Sequence, residues 1–184
     1  MAIRHWSAAA VAALSAFAGQ ANAAPPEQQP AIWQEHHAQF DYFGITSRFT
    51  CDGLELKVRQ ILLYLGARDD VYVQATGCPG GPFSISRSAW VRADFSTLTT
   101  SAAMSDSTNA TSASWTALDL AAQRPSFLGD GDCELIDQMK KLVTDNFSWR
   151  GKVSYRTDCP INTTQFRDFQ IQGEVLKLNA PPTQ

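Results

Sequence analysis

The sequence predicts an α+β protein whose mostly antiparallel sheet carries two helices on one face. Two observations lead to this prediction. Four cysteines occur as two pairs, 27 and 26 positions apart. Each pair encloses an apolar pattern of helical period followed by an extended run. We therefore interpret the chain as a tandem repeat of two strand–helix–strand–strand (βαββ) units, an architecture related to ferredoxin-like folds.

The first unit is predicted over residues 39–98. Apolar side chains alternate in places between residues 40 and 49, which favours a strand. A helix follows, because the next apolar residues share one 3.6-residue stripe: Leu54, Val58, Ile61, Leu62 and Leu65. Thr50 or Asp52 is placed to cap the start of this helix, and Gly66 to end it. The two remaining strands are predicted over 71–76 and 88–98.

The second unit is predicted over residues 114–178 and repeats the same order. Its helical stripe consists of Leu135, Met139, Leu142 and Val143. Its strands are predicted over 114–120, 152–157 and 166–178. Between the two units, residues 99–113 are almost entirely Ser, Thr and Ala, a composition typical of a long mobile loop.

The N-terminus has the pattern of a secretory signal peptide over residues 1–23. A basic start containing Arg4 precedes an alanine-rich apolar stretch, and Ala21-Asn22-Ala23 offers the small residues that signal peptidase recognises. The apolar stretch, residues 6–19, is shorter than the roughly 20 residues of a bilayer-spanning helix. Residues 24–38 are rich in Pro and Gln, and we expect a flexible leader there.

The charge balance narrows the classes of partner. The formal net charge is −3, and loss of Arg4 with the signal peptide makes it −4. Such a chain has no basic surface with which to bind nucleic acid or anionic lipid. We therefore expect a protein or small-molecule partner, no nucleic acid, and no membrane insertion after signal cleavage.

Export to an oxidising compartment makes the four cysteines candidates for disulfides. In a βαββ unit, the start of the helix and the end of the following strand lie at the same end of the domain. Of the three possible pairings, this topology favours Cys51–Cys78 together with Cys133–Cys159. Each bridge would stabilise the fold by roughly 3–4 kcal/mol in the chain-entropy view.

The segment Thr50-Cys51-Asp52-Gly53-Leu54, with the apolar residues Val58, Leu62, Leu65 and Val71, resembles the heavy-metal-associated domain. That ferredoxin-like family begins its helix with Cys-x-x-Cys. The resemblance implies a strand–helix–strand arrangement over residues 50–73. Leu54 stands where the family has its second cysteine, and one thiolate does not make the two-coordinate site of cuprous copper. No metal ligand is assigned on this basis.

Other polar clusters do not form a recognisable site. The run Glu35-His36-His37, followed by Asp41, is a candidate for binding zinc or copper, because histidines near carboxylates can ligate these ions. Neighbouring side chains of a strand point to opposite faces, however, so the two histidines do not easily converge on one ion. Asp69-Asp70 and the pair Asp130/Asp132 fall in expected turns, where Asp is favoured for backbone hydrogen bonding. The sequence contains no nucleophile elbow, phosphate-binding glycine loop or His-Glu-x-x-His motif. We predict no catalytic, cofactor-binding or metal-binding residues and no cofactor.

Over its full length the chain is similar to a group of small secreted proteins of Gram-negative bacteria. Three segments carry the similarity: residues 50–54, Leu65-Gly66-Ala67-Arg68-Asp69-Asp70-Val71, and Asp132-Cys133-Glu134-Leu135. It implies a periplasmic or secreted protein. The leading hypothesis is a non-catalytic, disulfide-bonded binding or accessory protein. The alternatives are an enzyme whose pocket gathers carboxylates or the arginines Arg48, Arg92 and Arg156, and a metal carrier.

Overall fold

The computed structural model describes residues 27–45, 47–79, 83–100, 110–159 and 168–179. The predicted signal peptide lies outside these residues. The strands are β1 (Gln28–Phe43), β2 (Phe49–Thr50), β3 (Tyr72–Thr76), β4 (Ile85–Ser86), β5 (Ser88–Thr99), β6 (Thr111–Ala121), β7 (Trp149–Asp158) and β8 (Asp168–Leu178). The helices are α1 (Cys51–Leu65), α2 (Cys133–Gln138) and α3 (Lys140–Asn146), with a 3-10 turn at Asp130–Asp132 before α2.

Six strands form one antiparallel sheet in the order β3-β5-β1-β6-β8-β7, and β2 pairs with β4 in a separate two-residue ladder. The α+β class with a mostly antiparallel sheet is confirmed. Each half of the sheet is built from a strand, a helical segment and two further strands. In both halves the last strand of the set, β5 or β8, lies between the other two.

The helices and one face of the sheet enclose a single main core. All three helices contribute to it, as do the inward residues of the long strands, among them Val91, Leu120 and Ile171. A smaller cluster of Ala31, Leu98, Ala113 and Leu176 forms a second apolar contact between the two halves of the sheet. The core therefore holds both halves of the chain together as one unit.

Strand β1 begins much earlier than the sequence suggests. Pairing starts at Gln28, so the prediction of a flexible leader over residues 24–38 is wrong for residues 28–38. Pro30 is the reason that the segment looks unlike a strand, because proline cannot donate a backbone hydrogen bond. The β1–β5 ladder starts only at Ile32, so the nitrogen of Pro30 lies beyond the end of β5 and no ladder bond is lost. The loop between the halves is also shorter than predicted, since β6 begins at Thr111.

Helix α1 follows the prediction at both ends. The Thr50 side chain accepts a hydrogen bond from the Gly53 N–H at 3.0 Å, which caps the first turn. Gly66 ends the helix in the left-handed region with φ of 106°, where a residue without Cβ is unstrained. The predicted apolar stripe from Leu54 to Leu65 is buried.

The second helix is divided, whereas one continuous helix was predicted. Met139, with ψ of −5°, separates α2 from α3. The carbonyl of Ile136, which a regular helix would offer to the Lys140 N–H, accepts a hydrogen bond from the Tyr155 hydroxyl instead. Burial raises the pKa of Tyr155, so this hydroxyl remains a proton donor. A side chain of β7 thus interrupts the helical ladder, which no pattern within residues 133–146 could indicate.

Two disulfides join Cys51 to Cys78 and Cys133 to Cys159, with Cα separations of 6.1 and 5.7 Å. The predicted pairing is confirmed. Disulfides of this kind indicate a non-cytoplasmic environment. Among the described residues, no helix is both long and apolar enough to cross a bilayer.

Candidate functional site

Among the described residues, each part of strand β1 has a partner strand on one side, and that side changes after Ala31. Residues 28–31 pair with β6, while residues 32–43 pair with β5 on the opposite edge. Strand β6 begins at Thr111, opposite Ala31, and β1 continues past this point. Within the described part of the chain, no strand pairs with the second edge of β1 from Ile32 to Phe43. We call this second edge, residues 32–43, the open edge.

The direction of individual backbone groups can be assigned from the contacts at the end of β1. The Gly44 N–H bonds to the Arg87 carbonyl at 2.7 Å, on the β5 side. Both backbone groups of Phe43 point the other way, since its N–H and C=O bond to the Gln138 side-chain amide at 2.7 and 2.8 Å. Backbone groups of successive residues in an antiparallel strand alternate between edges. The N–H and C=O of His37, Gln39 and Asp41 therefore point toward the open edge.

A groove runs between the open edge and helix α3. Its cavity has a volume of about 530 Å³. One wall is the continuous stretch of β1 from His37 to Asp41, about 17 Å long at the usual rise per residue of a strand. The other wall is helical and consists of Gln138, Lys141, Leu142, Asp145 and Asn146. The groove is thus lined by unpaired main chain on one side and by helix side chains on the other.

The side chains in the groove divide into an apolar and a polar set. Ala38 and Phe40 pack against the core, and Leu142 is buried, so these three make the apolar part. Asp41 and Lys141 are exposed at its rim, and within the described residues neither forms an ion pair. The groove can therefore accept an apolar side chain inside and a charged one at its rim.

A second, smaller cavity of about 290 Å³ continues from Asp41 across the outer face of β1 and β5. It is lined there by Phe43 and Trp90, which are 55% and 49% exposed. Asp41 faces Trp90 directly across the β1–β5 ladder. Exposed aromatic side chains beside a groove are typical of surfaces that bind a partner.

The histidine pair is divided between the two faces of the sheet, as predicted. The His36 Nε2 lies 2.8 Å from the Thr97 hydroxyl, and the ring packs against Phe95. Burial lowers the pKa of His36, so the neutral ring is favoured there. The His37 Nδ1 lies 2.7 Å from Asp94 on the outer face, and this contact lowers the pKa of Asp94. Among the described residues, no group of three or more His, Cys, Asp or Glu side chains could hold a metal ion.

The carboxylate of Asp132 is buried, which the interpretation as a turn residue did not anticipate. It lies 3.1 Å from the Lys57 ammonium and accepts the Gly129 N–H at 2.8 Å. The predicted Asp69-Asp70 turn is exposed, and Asp70 pairs with Arg68. Asp132 thus links α1 to the approach of α2, a structural role between the two halves.

Glu134, in the first turn of α2, is also buried. It accepts the N–H groups of Ile45 and Ser47 at 3.0 and 3.3 Å, and the Tyr42 hydroxyl donates to the Ser47 carbonyl at 2.9 Å. Burial, with the nearby Glu134 charge, raises the pKa of Tyr42. These contacts hold the chain that leaves β1 against the start of α2.

The three arginines considered for an enzyme pocket are not brought together. Arg92 pairs with Asp94 on the outer face, and Arg156 pairs with Asp168 at the other end of the sheet. Arg48 lines a third cavity near Lys57 and Asp132. Of the four tryptophans among the described residues, Trp33, Trp115 and Trp149 pack against core clusters, and only Trp90 is largely exposed.

Sequence reasoning missed the open edge, although it selected some residues that line it. His37 and Asp41 were considered as metal ligands, whereas their backbone groups are what the groove presents. Pro30 gave no signal of the open edge, because this residue is still paired with β6 and its nitrogen lies on the β5 side.

Comparison with known proteins gives no match to a family model, to a curated protein or to a solved structure. The resemblances to the heavy-metal-associated domain and to small secreted proteins therefore stay predictions. The open edge and its groove are the structural features that bear on function.

Proposed function

We propose that this chain is an exported, disulfide-bonded binding protein of the periplasm that takes up an extended polypeptide segment along the open edge of β1. The observation that carries the proposal is the unpaired main chain from His37 to Asp41 facing a groove under helix α3. A strand with unpaired N–H and C=O groups binds extended peptides by adding them to the sheet. The signal-peptide pattern and the two disulfides support an exported location.

The groove suits an added strand in its dimensions. Neighbouring strands lie about 4.8 Å apart, so an added segment would occupy the space directly beside β1. The Gln138 amide already makes the two hydrogen bonds of a strand partner at Phe43. A bound peptide would continue this row of hydrogen bonds toward Gln39 and His37.

We further propose that the two halves arose by duplication of a βαββ unit and that the resulting architecture is related to ferredoxin-like folds. The strand order supports this, because β3-β5-β1 is followed by its mirror order β6-β8-β7. The disulfides support it as well, since each joins the first residue of a helix to the end of the following strand. Counted back from Cys78 and Cys159, the inward-facing residues of β3 and β7 fall at different positions. Gly77, with φ of 86°, turns the backbone just before Cys78 and so compensates for this difference.

The test uses selection from a display library of random eight-residue peptides against the disulfide-bonded protein without its signal peptide. Selected peptides are then measured on two variants, Gln39→Pro and Gln39→Ala. Proline removes the outward N–H of residue 39 and leaves the β5 ladder intact, whereas alanine keeps the N–H. We expect enriched peptides whose binding is lost in Gln39→Pro and retained in Gln39→Ala.

Two controls accompany this comparison. Circular dichroism and urea unfolding establish that Gln39→Pro is folded. Hydrogen exchange of the wild-type protein should slow at Gln39 and Asp41 when a selected peptide binds. Failure to enrich any peptide, or equal binding by the proline and alanine variants, contradicts the proposal.

A further inference from the structure

The chemistry of the peptide follows from the two faces of an added strand, given the proposed function. Side chains of an extended segment point alternately to the two faces of the sheet. On one face the added residues would meet the apolar part of the groove, formed by Ala38, Phe40 and Leu142. On the other face they would lie beside the exposed side chains of Gln39 and Asp41.

The apolar face is closed by helix α3. Leu142 is 5% exposed, and the flanking helix positions Lys141 and Asp145 are exposed at the mouth of the groove. A side chain that enters from β1 toward the helix is therefore removed from water. Burial of an apolar side chain there is favourable, and burial of an unpaired polar one is costly.

The outer face carries an acidic group, Asp41, that has no ion-pair partner in the described part of the chain. Asp41 is exposed and forms no ion pair within the described residues, whereas the neighbouring Asp94 is paired with Arg92 and His37. The whole chain has a formal net charge of −3. Opposite charges on adjacent strands attract, and like charges repel. A basic residue of the added strand, placed beside Asp41, would neutralise this charge.

We infer that the occupant of the groove is an extended segment of another polypeptide in which apolar residues alternate with polar ones, with a lysine or arginine in the polar set beside Asp41. The alternation places the apolar residues under α3 and the basic residue on the outer face. The groove is bounded by a helix on one side, and its volume of about 530 Å³ suits a single strand.

The test compares three synthetic eight-residue peptides. The first alternates valine with lysine and threonine. The second has the same composition with the four valines in one block, and the third replaces lysine by glutamate in the alternating order. Binding is measured by fluorescence anisotropy at 0.02 and 0.15 M salt, with labelled peptide.

We expect the alternating lysine peptide to bind about tenfold more tightly than the blocked one, because fewer valines of the blocked peptide can lie under α3. At low salt it should also bind about fivefold more tightly than the glutamate peptide, from one cross-strand charge pair. The Asp41→Asn variant should lose the preference for lysine and keep the preference for alternation. The matched variant Asp69→Asn, in the exposed turn before β3, should keep both preferences.

The outcomes separate this inference from the proposed function. Equal binding of all three peptides that disappears in Gln39→Pro would overturn the inference and keep the open edge as a binding site. Absence of peptide binding, or binding that Gln39→Pro does not change, would overturn the proposed function itself. A concentration-dependent dimer seen by analytical ultracentrifugation, lost in Gln39→Pro and indifferent to the peptides, would assign the edge to a second copy and overturn the inference.

Discussion

The helices of the two halves cover the strand edges of the first half to different extents. In the first half, α1 covers the outer edge of β3: the Glu55 carboxylate accepts the Ala75 N–H at 2.8 Å, and Arg59 donates to the Val71 carbonyl at 3.3 Å. From the second half, Gln138 of α2 covers the end of β1, the other outer strand of the first half. The rest of that edge borders the groove.

Helix side chains four residues apart account for the difference between the covered edge of β3 and the open edge of β1. Residues four apart on a helix lie on the same side, so Glu55 and Arg59 reach one strand together. Glu134 and Gln138 also lie four apart, but they bind the end of β1 and the chain beyond it. An uncovered strand edge favours association with other chains, and proteins commonly cover it. An uncovered edge beside a groove therefore points to binding.

The largest loss of unfolding free energy should follow the removal of a disulfide. Removing each disulfide in turn tests whether the two halves depend equally on their bridges. The double variants Cys51→Ser with Cys78→Ser, and Cys133→Ser with Cys159→Ser, each open a loop of nearly the same length, 27 and 26 residues. We expect each to lose about 3–4 kcal/mol of unfolding free energy in urea, because loop closure sets the main contribution. Peptide mapping should recover the remaining bridge in both variants. A loss in one variant more than twice that in the other would show that the halves are unequal.

A smaller loss of unfolding free energy should distinguish the covered edge of β3 from the open edge of β1. Glu55→Ala leaves the N–H of buried Ala75 without its partner, and we expect a loss of about 1–2 kcal/mol. Gln138→Ala frees the backbone groups of exposed Phe43, which water can bind, so we expect a loss below about 0.5 kcal/mol. Urea unfolding measures both, and Glu55→Gln, which keeps an acceptor oxygen, is the control. Equal losses in the two alanine variants would contradict the distinction between the edges.

The smallest expected effect is a pH dependence of the unfolding free energy, which arises where α3 contacts the first half. The Thr97 hydroxyl lies 2.8 Å from His36 and donates to the Asn146 carbonyl at 2.7 Å. Burial lowers the pKa of His36 from 6.5, so the unfolded chain binds more protons at mildly acidic pH. Stability should therefore fall as the pH is lowered through 6.5, and His36→Gln should remove part of this slope. Unfolding free energies at pH 7.5, 6.5 and 5.5 measure it, and an unchanged slope in the variant would exclude His36 as its source.

Much of the fold could be predicted from local patterns. The stripe from Leu54 to Leu65 and the cap at Thr50 define α1, because periodicity and capping act within a few residues. The disulfide pairing followed from the expected order of elements. The start of β1 and the break at Met139 could not be predicted, since they depend on β6 and on Tyr155, both far along the chain.

Local residue patterns define which faces of the strands and helices are buried, and the order of elements they predict defines which cysteines meet. Side chains carry that information, because apolar and polar residues alternate with the period of each element. Which edge of β1 stays open among the described residues depends on the tertiary arrangement. A strand edge consists of N–H and C=O groups that almost every residue shares, so no side-chain pattern records it. The edge is defined by where β6 begins, opposite Ala31, and where α3 comes to lie.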